Sequence, residues 1–226
     1  MKTNKNEDGQ KRAKFHKKTF ENISEERRDN IIQVAMKEFA SNGYTATNIN
    51  IIASKAGISI GSMYNYFESK EALFLSIVQH GVNDLEAALK EVQRDDGDIF
   101  TILKRLFQAS WNYAKQNPEM NQLYLDATTQ GISVMSAKLS QQIEKITYEL
   151  YITIIENAKK KGEIDKNVNN KLVAFFIDNL AIMLQFSISA DYYKERMKIF
   201  LNEGLNEDQE SIIEGLVDLF RKTYGK

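Results

Sequence analysis

Residues 47–71 read TNINIIASKAGISIGSMYNYFESKE, and the rest of the chain is organised around them. Ile49, Ile52, Ala53 and Ala56 fall at i, i+3, i+4 and i+7, which places them on one face of a short helix with Asn48, Asn50, Ser54 and Lys55 outside. Gly57 then supplies the left-handed backbone of a sharp turn, and Ser59 offers an oxygen to cap a second helix from Ile60. In that helix Met63 and Phe67 lie one turn apart and face inward, leaving Ile60, Gly61, Tyr64 and Asn65 on the opposite side. An exposed helix start with an aromatic and small polar groups suits a DNA major groove. Taken alone, the same pattern also fits a helical hairpin packed inside an all-α domain.

The neighbouring residues favour the DNA reading. Ile31, Ile32, Ala35 and Phe39 predict a preceding helix that starts after Ser24 and ends at Asn42-Gly43-Tyr44. Thr47 follows as a cap, then AGIS, GSMYNYF and SKEAL in unbroken order. Over about residues 25–80 the chain resembles the N-terminal DNA-binding domain of the tetracycline-repressor (TetR) family of bacterial regulators.

The resemblance implies DNA-binding roles at particular positions. Thr47 and Asn48 would hold phosphate at the start of the second helix, and Asn50 would reach a base edge. Ile60, Gly61, Ser62, Tyr64 and Asn65 would take the base-facing side of the recognition helix, with the cap Ser59 also at the DNA and Tyr66 and Lys70 on backbone phosphates. Ile60 stands where a polar or basic residue is common, and Asn50 replaces a frequent arginine. The direct chemistry left is Asn50 or Asn65 to adenine and Ile60 to a thymine methyl, which points to an A/T-rich operator.

Composition sets outer bounds. A chain of 226 residues can bury a substantial core. The absence of cysteine excludes a disulfide framework and thiolate metal sites, and a reducing cytoplasm is the expected location. No run of 18 apolar residues occurs, so no membrane partner is expected. Through Glu71 there are 12 Lys+Arg against 9 Asp+Glu, a balance of +3; the remainder holds 18 against 22, or −4. The excess lies at the start, where Lys2, Lys5, Lys11, Arg12, Lys14, Lys17 and Lys18 oppose Glu7 and Asp8. Residues 1–22 are therefore expected to form a disordered basic arm, a solubilising tail or a segment that tracks phosphates. Residues 23–71 would be the helix-turn-helix domain and 72–226 a helical domain for ligand binding and dimerisation.

Beyond Glu71 the pattern stays helical. Ser69 caps a long helix carrying Leu73, Ile77, Val82, Leu85 and Leu89, and the acidic run ending in Asp98 closes it and caps the next. Further helices are predicted from Ile99 to Gln116, Glu119 to Leu125, Ile132 to Lys161, Val168 to Ala190 and from Asp208 or Ser211 to about Tyr224, with a loop over 126–131 and a less regular stretch after Ala190. No useful period-two alternation occurs, so the fold class is all α.

Two features of this region bear on function. The 168–190 segment is apolar on nearly all sides and the last helix has a broad apolar face, so Phe176, Ile177, Leu180, Leu184, Ile212, Leu216, Leu219 and Phe220 are candidates for a two-fold four-helix homodimer interface. Aromatic and methionine side chains are dense between residues 100 and 200. Such stripes are more often core than pocket. The family likeness nonetheless makes Phe107, Trp111, Tyr113, Tyr124, Tyr148, Tyr151, Phe176 and Met183 candidates for a small-molecule inducer site. No arginine lies between Arg105 and Arg196, which argues for a mostly apolar ligand over an anionic one.

An enzyme is the poorer fit. With only His16 and His80, no cysteine, and no glycine-rich phosphate loop or HExxH pair, catalytic machinery is hard to assemble, and no metal or cofactor is expected. The other alternative is a helical scaffold that never touches DNA.

Overall fold

The computed structural model describes residues 14–92, 97–129, 133–201 and 208–226, with side chains of α8 described from Glu144 onward. Among the described residues the chain is helical: α1 (Lys18–Glu21), α2 (Glu25–Ala46), α3 (Ile49–Lys55), α4 (Ile60–Tyr66), α5 (Lys70–Val92) and α6 (Ile99–Gln116) come first. They are followed by α7 (Pro118–Thr129), α8 (Ser133–Lys161), α9 (Asn170–Ser189), α10 (Asp191–Leu201) and α11 (Gln209–Tyr224). The extended pairing among these residues is a single antiparallel bridge between Ile164 and Gly225.

The chain divides into two compact units. One holds the described residues to Ala35 together with Asn48–Ile77, and the other holds Met36–Thr47 and Val78–Lys226. The expected boundary after Glu71 thus moves six residues into α5. Leu73, Phe74, Leu75 and Ile77 are all buried, so the start of α5 belongs to the core of the first unit.

The helix boundaries follow capping chemistry. Asn48, Ser59, Ser69 and Asp98 each accept a backbone N–H of the first turn that follows, at 2.9, 3.0, 3.1 and 2.8 Å. Asn48, not Thr47, is therefore the cap of α3. Gly43 has φ 71°, which breaks α2 where Asn42-Gly43 predicted its end. Pro118 opens α7, where its missing N–H costs nothing.

Three segments differ from the sequence reading. Residues 14–22, assigned to the disordered arm, are built into the first unit: Phe20 is buried with its ring 4.8 Å from that of Phe67. The Lys17 N–H donates to the Tyr66 carbonyl at 2.8 Å, its ammonium donates to the Tyr64 carbonyl at 2.9 Å, and the Thr19 hydroxyl donates to the Asn65 carbonyl. The last carbonyls of α4 lack helical partners, and this segment supplies them. The remainder of the arm, 1–13, lies outside the described residues.

The predicted loop over 126–131 is helical to Thr129, because its polar side chains bond within the helix. Gln122 donates to Asp126 at 2.8 Å and Thr128 to the Tyr124 carbonyl at 2.9 Å. Residues 130 and 131 of that loop lie outside the described residues. The less regular stretch after Ala190 is α10, whose Lys194–Asp191 and Lys198–Glu195 pairs and half-buried Tyr193 and Met197 give it helical register.

The second unit is centred on α9, packed by α6, α8 and α10. By length and composition α9 could cross a membrane, although it contains no run of 18 consecutive apolar residues. Here it is a core helix. Val173, Ala174, Ile177, Ala181 and Leu184 are buried among Leu103, Phe107, Ile154 and Ile155, and Asp178 sits midway along it.

Candidate DNA-reading surface and ligand cavity

In the first unit the turn between α3 and α4 is closed by two hydrogen bonds, Gly57 N–H to the Ser54 carbonyl at 3.1 Å and Ile58 N–H to the Ala53 carbonyl at 3.0 Å. This pairing requires a left-handed residue, and Gly57 has φ 68°. Beyond it Met63 and Phe67 are fully buried, which turns the other face of α4 outward. Ile60 is 39% and Tyr64 47% exposed, and Ser59, Gly61 and Asn65 are exposed beside them. Ser62 is half-buried with its hydroxyl 2.9 Å from that of Ser59. Tyr66 is half-buried against Phe20, and Lys70 is half-buried in the first turn of α5. Asn50 is exposed on α3, and so is Ile51, a residue the sequence reading passed over.

Thr47 does not fit the role given to it. It is buried, and its hydroxyl donates to the Gly43 carbonyl at 2.6 Å and the Glu38 carbonyl at 3.2 Å, satisfying acceptors freed where α2 ends. Asn48 is exposed, but its side-chain oxygen is engaged in capping α3.

In the second unit α5, α6, α7, α8 and α9 line a cavity of about 120 Å³. That is room for on the order of ten water-sized bodies, a small organic molecule's worth. Val82, Leu85, Leu89, Leu106, Leu123 and Ile182 form apolar walls, and Gly81 leaves space for the Met120 thioether. Of the eight ligand candidates, Tyr113, Tyr124 and Tyr151 line it. Phe107 and Trp111 are packed in the core, Met183 is outside the lining, and Tyr148 is exposed. Phe176 packs its ring 6.4 Å from that of Tyr224, away from the lining.

The cavity's carboxylates and Thr147 went unpredicted. Glu144 and Thr147 of α8 and Asp178 of α9 all line it, and the Tyr124 hydroxyl donates to Glu144 Oε1 at 3.0 Å. Burial pushes all three tyrosines well above the ordinary 10, so each remains a neutral phenol. Burial also pushes Asp178 up from 3.8 to about 6; the neighbouring Glu144 charge adds to this and the Thr147 hydroxyl opposes it.

This carries a stability consequence. Between pH 3.8 and about 6 the folded chain holds a proton on Asp178 that the unfolded chain has released, so stability falls as pH rises through that window. The full cost, present above about pH 6, is at most about 3 kcal/mol and smaller after solvent screening. Asp178→Asn should therefore stabilise the unliganded chain by about 1–3 kcal/mol near pH 8 and by almost nothing below about pH 4. Urea unfolding at the two pH values checks it. An equal gain at both would show that the charge is not the cause.

The proposed dimer residues also separate. Ile177, Leu184 and Phe220 are buried in the chain's own core, and Leu180, Ile212 and Leu216 are half-buried against it. Leu219 is 63% exposed and Phe176 43%, and α9 adds Leu172 at 66% and Phe175 at 68%.

Residues 31–77 match the family model for bacterial regulatory proteins of the tetR family. The chain is similar to the HTH-type transcriptional repressor NicS of Pseudomonas putida, 30% identical over 138 residues that cover 60% of this chain and 64% of that protein, just under two thirds. A TetR family transcriptional regulator from Chloroflexus aurantiacus superposes with a TM-score of 0.70 at 23% identity, covering 93% of this chain and 99% of that one. The regulator FadR from Bacillus subtilis, solved in complex with stearoyl-CoA, gives 0.69 at 19%, covering 84% and 97%. Residues 31–77, with their helix-turn-helix and outward-facing second helix, are thus a DNA-binding domain of the tetR family of bacterial regulatory proteins, and the chain is similar to TetR-family regulators over most of its length.

Proposed function

We propose that the chain is a homodimeric repressor that leaves a palindromic DNA operator when a mostly apolar small molecule occupies the cavity of its second unit. The observation that carries the DNA half of this reading is α4, with Met63 and Phe67 fully buried and Ile60, Gly61, Tyr64 and Asn65 turned outward. Asn50, Ser59 and Ser62 complete the base-facing set, and Asn48, Tyr66 and Lys70 serve phosphate. In a dimer the two α4 helices would enter successive major grooves, roughly 34–36 Å apart. Such a protein would work in the cytoplasm.

The cavity supports the ligand half. The Bacillus subtilis FadR structure was solved in complex with stearoyl-CoA on a similar fold, and the second unit here contains a lined cavity. Helix α5 starts in the first unit at Lys70 and contributes Val78, Val82 and Leu85 to the cavity wall. A ligand that favours one position of this wall would bias the helix that begins directly after the DNA reader. Release requires that the ligand bind the DNA-incompetent arrangement more tightly.

The test is fluorescence anisotropy of the full chain with DNA from upstream of its own coding sequence, scanned across salt. Specific binding that exceeds binding to scrambled DNA supports the reading, and equal binding to both favours the scaffold alternative. Deleting residues 1–13 removes 4 basic and 2 acidic groups. If the arm lies on phosphates, the deletion should flatten the log-log salt slope by up to about 4 while specificity persists. An unchanged slope would make the arm a solubilising tail.

A further inference from the structure

Resting on the ligand-release reading, the geometry points to an amphiphilic cation, an apolar body bearing one protonated amine, as the ligand class this cavity takes. Glu144 projects from α8 and Asp178 from α9 into the same apolar enclosure, and among the described residues lining it there is no lysine, arginine or histidine. These two half-buried carboxylates beside leucine and tyrosine walls have, among the described residues lining the cavity, no basic side chain as a partner. Among the described residues no third metal-ligating side chain joins these two carboxylates. Tyr113, Tyr124 and Tyr151 add aromatic faces that favour a cation, and as neutral phenols they place no further negative charge there.

A second observation is independent of the carboxylates. Asn121 lines the cavity at 3% exposure, and its amide nitrogen is buried without a hydrogen-bond partner. Buried donors are rarely left unmet, and one on a cavity wall is met by what enters. The cavity thus offers acceptors for an ammonium at Glu144 and Asp178 and a donor for a ligand oxygen at Asn121. An acyl carboxylate or polyphosphate placed here would face like charge.

Isothermal titration of the full chain at about pH 8, where Asp178 is ionised, tests this with three probes on one skeleton: 4-phenylbutylamine, 4-phenylbutanol and 4-phenylbutyrate. The amine should bind at least about tenfold more tightly than the alcohol, and the carboxylate more weakly than either. In Asp178→Asn and Glu144→Gln, checked for fold by circular dichroism, the amine's advantage over the alcohol should shrink severalfold while the alcohol still binds. Carboxylate binding equal to amine binding, an amine preference that survives both substitutions, or no binding of any probe overturns the inference. Operator release is measured alongside. An amine that binds with the stated preference yet leaves DNA bound upholds the ligand class and overturns the ligand-release reading.

Discussion

Placing lysine at both Phe175 and Leu219 will convert the proposed dimer to a monomer and remove most operator affinity. Both side chains are more than three-fifths exposed in the single chain, so neither substitution disturbs its core. On α9 Phe175 is part of a stripe, Leu172, Phe175 and Phe176, at the i, i+3, i+4 spacing of one helix face. The Phe176 ring meets Tyr224 of α11, the helix that carries Leu219. At Gly215 of the same helix an added Cβ would meet nothing within 4 Å, so that surface is open to close approach. Large exposed apolar patches mark association surfaces.

In a two-fold interface each substitution appears twice. A buried unpaired charge costs about 3 kcal/mol or more, which is over a hundredfold in the dimer dissociation constant. Sedimentation equilibrium should show a shift to monomer with unchanged helical content, and operator affinity should fall by a comparable factor. By contrast, Leu184→Lys would place a charge in the chain's own core and unfold it, so it is not a test of the interface. A native chain that sediments as a monomer at micromolar concentration would overturn the dimer proposal.

Tyr64→Ala should weaken operator binding by about ten- to a hundredfold, corresponding to about 1–3 kcal/mol for a lost base-edge contact. Tyr64 is half exposed on α4, beyond the fully buried Met63, so the thermal midpoint should barely move. Lys70→Ala should behave differently. If its ammonium holds phosphate, the variant loses affinity for all DNA and its log-log salt slope drops by about 1, whereas Tyr64→Ala keeps the slope and loses specificity. Anisotropy titrations at several salt concentrations separate the two. Intact specificity in the Tyr64 variant would mean that α4 does not read bases in the proposed orientation.

The residues show why some of this was legible in the sequence and some was not. The turn at Gly57, the caps at Ser59, Ser69 and Asp98 and the inward pair Met63 and Phe67 are local chemistry, fixed within four or five residues, and the structure reproduces them. Helix α9 is different. When every face is apolar, periodicity carries no phase, so Ile177 and Leu184 look the same as Leu172 and Phe175 although the first two are core and the last two exposed. Glu144 and Asp178 were missed for the converse reason. A carboxylate on a helix normally marks the solvated face, and only the packing of α8 against α9 turns these two into one cavity. Lys17 and Thr19 belonged to a basic, polar stretch whose partners, the end carbonyls of α4, lie 46–47 residues further along.

The most direct test of the central claim is to let the full chain select DNA from a random pool and sequence what it retains. The account predicts an inverted repeat, A/T-rich in each arm, with half-site centres about one helical turn apart. It also predicts release of the selected DNA by 4-phenylbutylamine. Enrichment of no motif, or of a single unrepeated site bound as tightly as any repeat, would contradict it.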